Sequence, residues 1–104
     1  MQNSAGKFVT ASLESVTAAA AGVAMPDDFR VSITNADGAG AYPIASFTWM
    51  LLYQHPTDKT RSTAMVDFLK WALNDGQKFA PGLGYAPLPQ PVVAKEIQAL
   101  AKIQ

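Results

Sequence analysis

The sequence contains no cysteine and a single histidine, His55, among its 104 residues. Without cysteine the chain forms neither a disulfide nor a thiolate metal site, and one imidazole has no partner with which to share a metal ion. No thiol is present for His55 to activate as a nucleophile. We therefore predict no catalytic residue, no metal ligand and no cofactor, and we expect that the chain is not an enzyme.

Charge is also scarce and balanced. Charged residues make up 15% of the sequence, and eight basic residues face eight acidic ones, whereas globular proteins usually carry about a quarter. The charges are scattered, so the chain lacks the basic patch that nucleic acids or anionic membranes require. We expect no nucleic-acid partner.

Long hydrophobic runs are missing. The longest strongly apolar stretch covers residues 47–53 and is broken by Thr48, which is far short of the roughly 20 residues that cross a bilayer. The opening residues "MQNSAGKFVT" have no apolar core of seven or more residues. We expect neither a membrane span nor a secretion signal in this sequence.

Three helices are predicted by periodicity and capping. In "SLESVTAAAAG", Ser12 caps the first turn, Glu14 suits the helix dipole and Gly22 ends the helix. In "TRSTAMVDFLKWALNDG" an apolar stripe recurs at spacings of three and four, and "QKFAP" extends this helix or follows a cap at Gly76. The third helix begins near Pro91. The predicted buried residues of the three helices are Leu13, Val16 and Ala20; Met65, Phe68, Leu69, Ala72 and Leu73; and Val93, Ile97, Leu100 and Ala101.

The stretch "AYPIASFTWMLLYQ" predicts a long strand with two apolar faces. Such strands occur mostly in sheets covered by helices on both sides, and those sheets have about five strands. This chain offers only two further short candidates, at residues 7–10 and 30–34, with a turn at Asp37-Gly38 between the second and the long strand. The missing neighbours come either from a second copy or from the rest of a longer polypeptide, and we favour the longer polypeptide.

Other candidate sites have plainer explanations. Asp27 and Asp28 are adjacent and would point apart in an extended segment, which is poor for joint acid–base work. The glycines of "NADGAGAY" have neither phosphate-loop nor dinucleotide-loop spacing. Arg30 and Arg61 are predicted to be surface charges. An aromatic stacking platform is possible, but core packing is the favoured interpretation for these side chains: Phe47, Trp49, Phe68, Trp71 and Tyr85.

Three stretches together resemble one protein family. "AGKFVTASLESVTAAAAG", "AYPIASFTWMLLYQ" and "FLKWALNDGQKFAPGLGYAPLPQPVV" look like the final third of the periplasmic phosphate-binding proteins of bacterial phosphate ABC transporters. The segments follow the family's order with similar gaps and span essentially residues 1–104.

The resemblance implies an α/β fold: the C-terminal portion of a two-lobed periplasmic-binding-protein fold, with an incomplete mixed sheet and packed helices. Residues 1–40 would end the second lobe and residues 45–104 would form the C-terminal section of the first, with helices at 57–80 and 91–103. The crossover between the lobes would be a hinge of four residues: Ala41, Tyr42, Pro43 and Ile44.

The resemblance also implies a role in phosphate uptake at the periplasm or cell surface. The family's phosphate ligands lie in its earlier two thirds, so none is carried over to this chain, which would supply hinge and scaffold. The implied partners are the N-terminal part of the same protein, phosphate in the complete protein only, and the membrane permease. The alternative is a detached interaction domain that self-associates by strand exchange without binding phosphate.

Overall fold

A computed structural model describes residues 1–104 and contains three α-helices. Helix α1 is Leu13–Ala21, α2 is Lys59–Leu73 and α3 is Gln90–Leu100. Two short 3-10 helices, Asp75–Phe79 and Pro81–Leu83, follow α2. The three predicted helices are therefore confirmed, and the extension of the second one past Gly76 takes the form of 3-10 turns.

Helix α1 begins and ends where its sequence predicts. The Ser12 hydroxyl accepts a hydrogen bond from the Ser15 amide at 3.1 Å, and the Ser15 hydroxyl accepts one from the Ser12 amide at 2.9 Å. This reciprocal pair is a capping box built from two serines. At the other end, the Gly22 amide donates to the Ala18 carbonyl. Local hydrogen bonding thus sets both boundaries of α1.

The core of the N-terminal section consists almost entirely of alanine. Ile33 is the one large buried residue, and Val16, Val23 and Phe47 pack against the cluster, whose members are Ala19, Ala20, Ile33, Ala36, Ala41 and Ala45. Such small side chains let backbones approach closely. A Cβ atom at Gly22 would collide with the Asp37 carbonyl oxygen. This section therefore gains less from apolar burial than a core of larger residues would.

The second packing unit is formed by α2 and α3. The Asp58 carboxylate caps α2 by accepting from the Arg61 amide at 3.0 Å. The predicted stripes are only partly buried: Leu69, Val93 and Leu100 are buried, but Phe68 and Ala101 are exposed. The sequence pattern also missed Ser62 on α2 and Val92 on α3, which are buried as well.

The chain by itself forms no sheet. Its only β-pairing is an isolated antiparallel bridge between Gln2 and Phe8, so the expected incomplete mixed sheet is not present, and none of the segments 7–10, 30–34 and 45–53 is a strand. A strand is defined by hydrogen bonds to a neighbour, and these three segments do not pair with one another. The α/β prediction is thus correct for the helices and wrong for the strands of this chain.

The molecule is open and elongated. Its Cα radius of gyration is 15.3 Å, against about 13 Å for a compact domain of this length. Its accessible surface of 7081 Å² exceeds by about 1,400 Å² the area of a compact monomer of its mass. No helix combines the length and apolar character needed to span a membrane. The excess area identifies surface that a compact fold would have covered.

Candidate hinge and interaction surface

Three of the four predicted hinge residues are held against the N-terminal section. The Tyr42 amide donates to the Ser15 carbonyl at 3.0 Å, and the Pro43 carbonyl accepts from the Asn35 amide at 2.8 Å. Ala41 and Pro43 are buried, whereas Ile44 is exposed. The first three of the predicted hinge residues are therefore anchored next to α1, and the chain leaves that anchorage at Ile44.

Asn3 is a structural residue that the sequence interpretation missed. Its side-chain nitrogen lies 3.0–3.1 Å from three carbonyl oxygens, those of Gly38, Ala39 and Ala41. Its side-chain oxygen accepts from two further amides, Ala5 and Lys7. One buried amide group thus joins the N-terminal loop to the loop at residues 38–41. Its position in the polar stretch "MQNSAG" gives no local signal of this contact, which spans 38 residues.

Residues 45–53, which we term the uncovered segment, lack backbone partners. No amide from residue 44 to residue 57 donates a hydrogen bond within the chain. The segment is held at a few points only: the Thr34 hydroxyl donates to the Ala45 carbonyl at 3.3 Å, and the Trp49 indole donates to the Phe29 carbonyl at 3.1 Å. Its amides, and its carbonyls other than those of Ala45 and Phe47, are free to pair with another strand.

Most side chains of the uncovered segment are open as well, although Ala45 is buried in the alanine cluster and Phe47 packs against that cluster. Leu51 is 96% exposed and Tyr53 is 84% exposed, and no charged residue occurs from position 44 to position 54. Trp49 is about half exposed and meets Phe47 edge to face, with ring centroids 6.2 Å apart. The prediction that Trp49 lies in the core is wrong for this chain, because only Ala45 and Phe47, at the start of the segment, reach the core.

A second apolar surface lies at the C-terminal end of α2. Phe68, Trp71 and Phe79 form a row of tilted rings with centroid separations of 5.8 and 6.2 Å, which we term the aromatic row. All three rings are exposed, as is Tyr85 nearby in sequence. The predicted core packing of Phe68, Trp71 and Tyr85 is therefore also wrong in this chain.

The two arginines are surface groups, as their sequence context predicts. Arg30 pairs with Asp28 at 2.8 Å, and Arg61 pairs with Asp58 at 3.5 Å. Hydrogen bonds from the Arg30 amide and then its guanidinium hold the pKa of the Asp28 carboxyl below its usual range. Asp27 is instead 3.1 Å from Lys95, so the adjacent aspartates serve different partners.

The chain presents no preformed ligand cage in this region. An open depression lies between the segment around Arg30 and the uncovered segment. Its only charged side chain is Arg30, whose charge is already paired with Asp28. His55 is exposed, and no group of three or more metal-binding side chains is close enough to hold an ion. The arrangement offers hydrogen-bonding backbone and apolar surface, which suit the binding of protein.

Comparison with known proteins gives a consistent result for the whole chain. No family model matches it, and no solved structure matches it. Among curated proteins, it is 42% identical over 101 residues to the phosphate-binding protein PstS of Xylella fastidiosa and 37% identical over 106 residues to that of Pasteurella multocida. It is 32% identical over 120 residues to the phosphate-binding protein PstS of Methanocaldococcus jannaschii.

The coverage of these matches is asymmetric. They include 95–100% of this chain but only 28–30% of each relative's length. The chain thus spans less than a third of the curated relatives it matches, and the predicted resemblance is confirmed. Over nearly its whole length, the chain is similar to the C-terminal portion of PstS phosphate-binding proteins.

Proposed function

We propose that this chain is the C-terminal section of a phosphate-binding protein that serves phosphate uptake by an ABC transporter. The single observation that carries the proposal is the match of almost the entire chain to under a third of each phosphate-binding relative. In this role the chain supplies hinge and scaffold, and the phosphate ligands belong to the larger portion that the chain does not match. The chain has no catalytic task.

The hinge proposal assigns residues 1–40 to one lobe, residues 45–104 to the other, and Ala41, Tyr42, Pro43 and Ile44 to the crossover between them. Two separate packing units support this division: the alanine cluster around Ile33 before and just after the crossover, and the α2–α3 pair beyond it. The crossover lies near the end of the first unit, which continues past it to Ala45 and Phe47. Two lobes joined by such a segment can rotate about it to enclose a ligand.

The uncovered segment is proposed to be an inner strand of a sheet completed by the earlier part of the same protein. Its free amides supply the hydrogen bonds, and its apolar side chains supply the two faces. The excess surface of about 1,400 Å² exceeds the roughly 800 Å² that each partner buries in a standard interface. An area of this size favours permanent association within one fold over a transient contact.

The remaining elements of the proposal are the location and the partners. The complete protein would work in the periplasm or at the cell surface, bind inorganic phosphate between its lobes and deliver it to the membrane permease. These features rest on similarity to proteins named for phosphate binding. Phosphate would accordingly bind only when the rest of the protein is present.

The decisive experiment is reconstitution. We would mix this chain with the part of the Xylella fastidiosa protein outside the matched stretch and titrate phosphate by calorimetry. We expect no binding heat from either piece alone and saturable, one-to-one binding from the mixture. Association without phosphate binding, or no association, would contradict the proposal.

A matched pair of variants tests whether the uncovered segment carries the association. Leu51→Pro removes an amide that has no partner in the isolated chain, so it leaves this chain's own bonds intact while depriving an incoming strand of a donor. We expect reconstitution to weaken about tenfold or more. The control Leu51→Val keeps the amide and suits a strand, so its affinity should stay within about twofold. Equal affinities would exclude strand pairing at this position.

Self-association is the second candidate, and the same free amides favour it. An edge without charged residues has none of the side chains that usually prevent pairing between copies. The solution mass of the chain distinguishes the candidates. A stable dimer that binds neither the complementary piece nor phosphate would support a detached interaction domain. A dimer that dissociates when the complementary piece is added, and binds that piece instead, would support the first proposal.

A further inference from the structure

Lys95 connects the two sections of the chain directly. It lies on α3, and its ammonium group donates to the Met25 carbonyl and lies 3.1 Å from the Asp27 carboxylate. Met25 and Asp27 are in the loop that follows α1, 70 and 68 residues earlier in the sequence. The Lys95 side chain is only 33% exposed, so these oxygens replace much of the water that a free ammonium would bind.

A second contact crosses the same boundary. The Thr17 hydroxyl on α1 donates to the Pro87 carbonyl, just before α3, at 3.0 Å. Beside the Lys95 contact lies a cleft with α1 and its following loop on one wall and the start of α3 on the other. The cleft is lined by Ala20, Ala21, Val23, Met25, Pro91 and Val92. The two polar contacts thus hold together a largely apolar seam.

We propose that Lys95 and Thr17 form a latch that sets the angle between the two sections on either side of the crossover. This inference rests on the proposed function, because it treats residues 1–40 and 45–104 as the two moving parts. The latch works because each bond joins a side chain of one section to a backbone carbonyl of the other. Opening the seam leaves the Lys95 ammonium and the Met25 carbonyl without their present partner.

The two partners of Lys95 contribute unequally. The Asp27 side chain is 93% exposed, and ion pairs that are open to water contribute little because solvent screens them. The Met25 carbonyl accepts a charge-assisted bond in a part-buried position. Removal of the Asp27 charge should therefore change the latch much less than removal of the Lys95 ammonium.

The absence of cysteine makes the latch measurable with spin labels. Ala11→Cys and Ala94→Cys place labels at exposed positions, one in each section, and pulsed electron paramagnetic resonance gives the distribution of distances between them. In this background Lys95→Met should broaden the distribution toward longer distances, with the open population rising about tenfold for the loss of one charge-assisted bond. Asp27→Asn should leave it nearly unchanged.

Two further variants separate latch opening from general damage. Lys102→Met makes the same chemical change at an exposed lysine with no side-chain partner and should leave the distribution unchanged. Thr17→Val keeps the side-chain shape and removes the hydroxyl, so it should also broaden the distribution. Circular dichroism of each variant should show unchanged helix content.

An unchanged distance distribution in both Lys95→Met and Thr17→Val would refute the latch. The measurement needs neither phosphate nor the complementary piece, so that result would leave the reconstitution test standing. The opposite combination is also distinguishable. If the chain does not restore phosphate binding but its Lys95 and Thr17 variants do open, the proposed function is refuted, whereas the role of these two contacts in holding the sections together stands. Equal opening in Asp27→Asn and Lys95→Met would overturn the assignment of the main bond to the Met25 carbonyl.

Discussion

Replacement of Asn3 by alanine should destabilise the N-terminal section severely. The side chain is buried and satisfies three carbonyl oxygens and two amides. Its nitrogen has only two hydrogens, so the three carbonyls share about two full hydrogen bonds, and about four effective bonds are lost in total. Each contributes about 0.5–1.5 kcal/mol net. Because Ala5 and Lys7 lie at the exposed edge of the loop and water can replace their bonds, we expect a loss of about 2–4 kcal/mol.

The assay is urea unfolding followed by circular dichroism and tryptophan fluorescence, together with thermal unfolding. A loss of this size lowers Tm by about 8 °C or more for a chain of this length. Gln2→Ala is the matched control, since Gln2 is exposed and makes one long bond to the Gly6 carbonyl at 3.3 Å. It should change the stability by less than about 0.5 kcal/mol.

Asn3→Asp provides the result that would refute the reasoning. Aspartate keeps an acceptor for the Ala5 and Lys7 amides, but it turns a carboxylate oxygen toward the carbonyl oxygens that the nitrogen now serves. If donation to those carbonyls is the important part, Asn3→Asp should be at least as destabilising as Asn3→Ala. An aspartate variant close to wild type, or an alanine variant that loses less than about 0.5 kcal/mol, would show that the bonds are replaceable by water.

Two further perturbations test close packing and burial of charge. Gly22→Ala should lower the free energy of unfolding by about 1–3 kcal/mol, because the added Cβ would collide with the Asp37 carbonyl and overpacking has costs of this size. Urea unfolding measures the loss, and Ala24→Ser is a control at an exposed position. Burial raises the pKa of Glu96 above its ordinary value of 4.5. The folded state therefore binds this proton more readily than the unfolded state does, and the free energy of unfolding falls as the pH rises from about 4.5 through the raised pKa. Glu96→Gln should therefore stabilise the chain more at pH 7 than at about pH 4, and an equal effect at both pH values would contradict the assignment.

The parts of the structure that the sequence predicts are those that depend on neighbours in the chain. Ser12 and Gly22 bound α1 as expected, because a cap is a hydrogen bond between residues a few positions apart. Asn3 was missed because its acceptors lie 35 to 38 residues away and become neighbours only after the loop folds back. Hydrogen bonds between sequence neighbours set the helix ends, whereas the hydrogen bonds that the Asn3 side chain donates depend on tertiary structure alone.

The predicted core failed for a different reason. The apolar character of Trp49, Leu51 and Phe68 indicated burial, yet all three are exposed in this chain. Apolar periodicity reports the environment a sequence is adapted to, which includes surfaces that the chain cannot cover alone. The mismatch between pattern and exposure is therefore informative, since it falls on residues 49–53 and the aromatic row, while the alanine cluster and the α3 residues Val93 and Leu100 are buried.

The four proposed hinge residues are not equivalent, and this narrows where rotation would occur. The amides of Ala41 and Tyr42 donate to Gly38 and Ser15, whereas that of Ile44 donates to nothing. The first residues of the crossover would thus move as part of the N-terminal section, and the change in backbone angle would fall at Ile44 and beyond. Hydrogen exchange of the isolated chain tests this: the Tyr42 amide should be protected and those of residues 44–53 should not. Protection that begins at Ile44 would mean that the free segment finds a partner within the chain or in a second copy, and the pivot would then lie elsewhere.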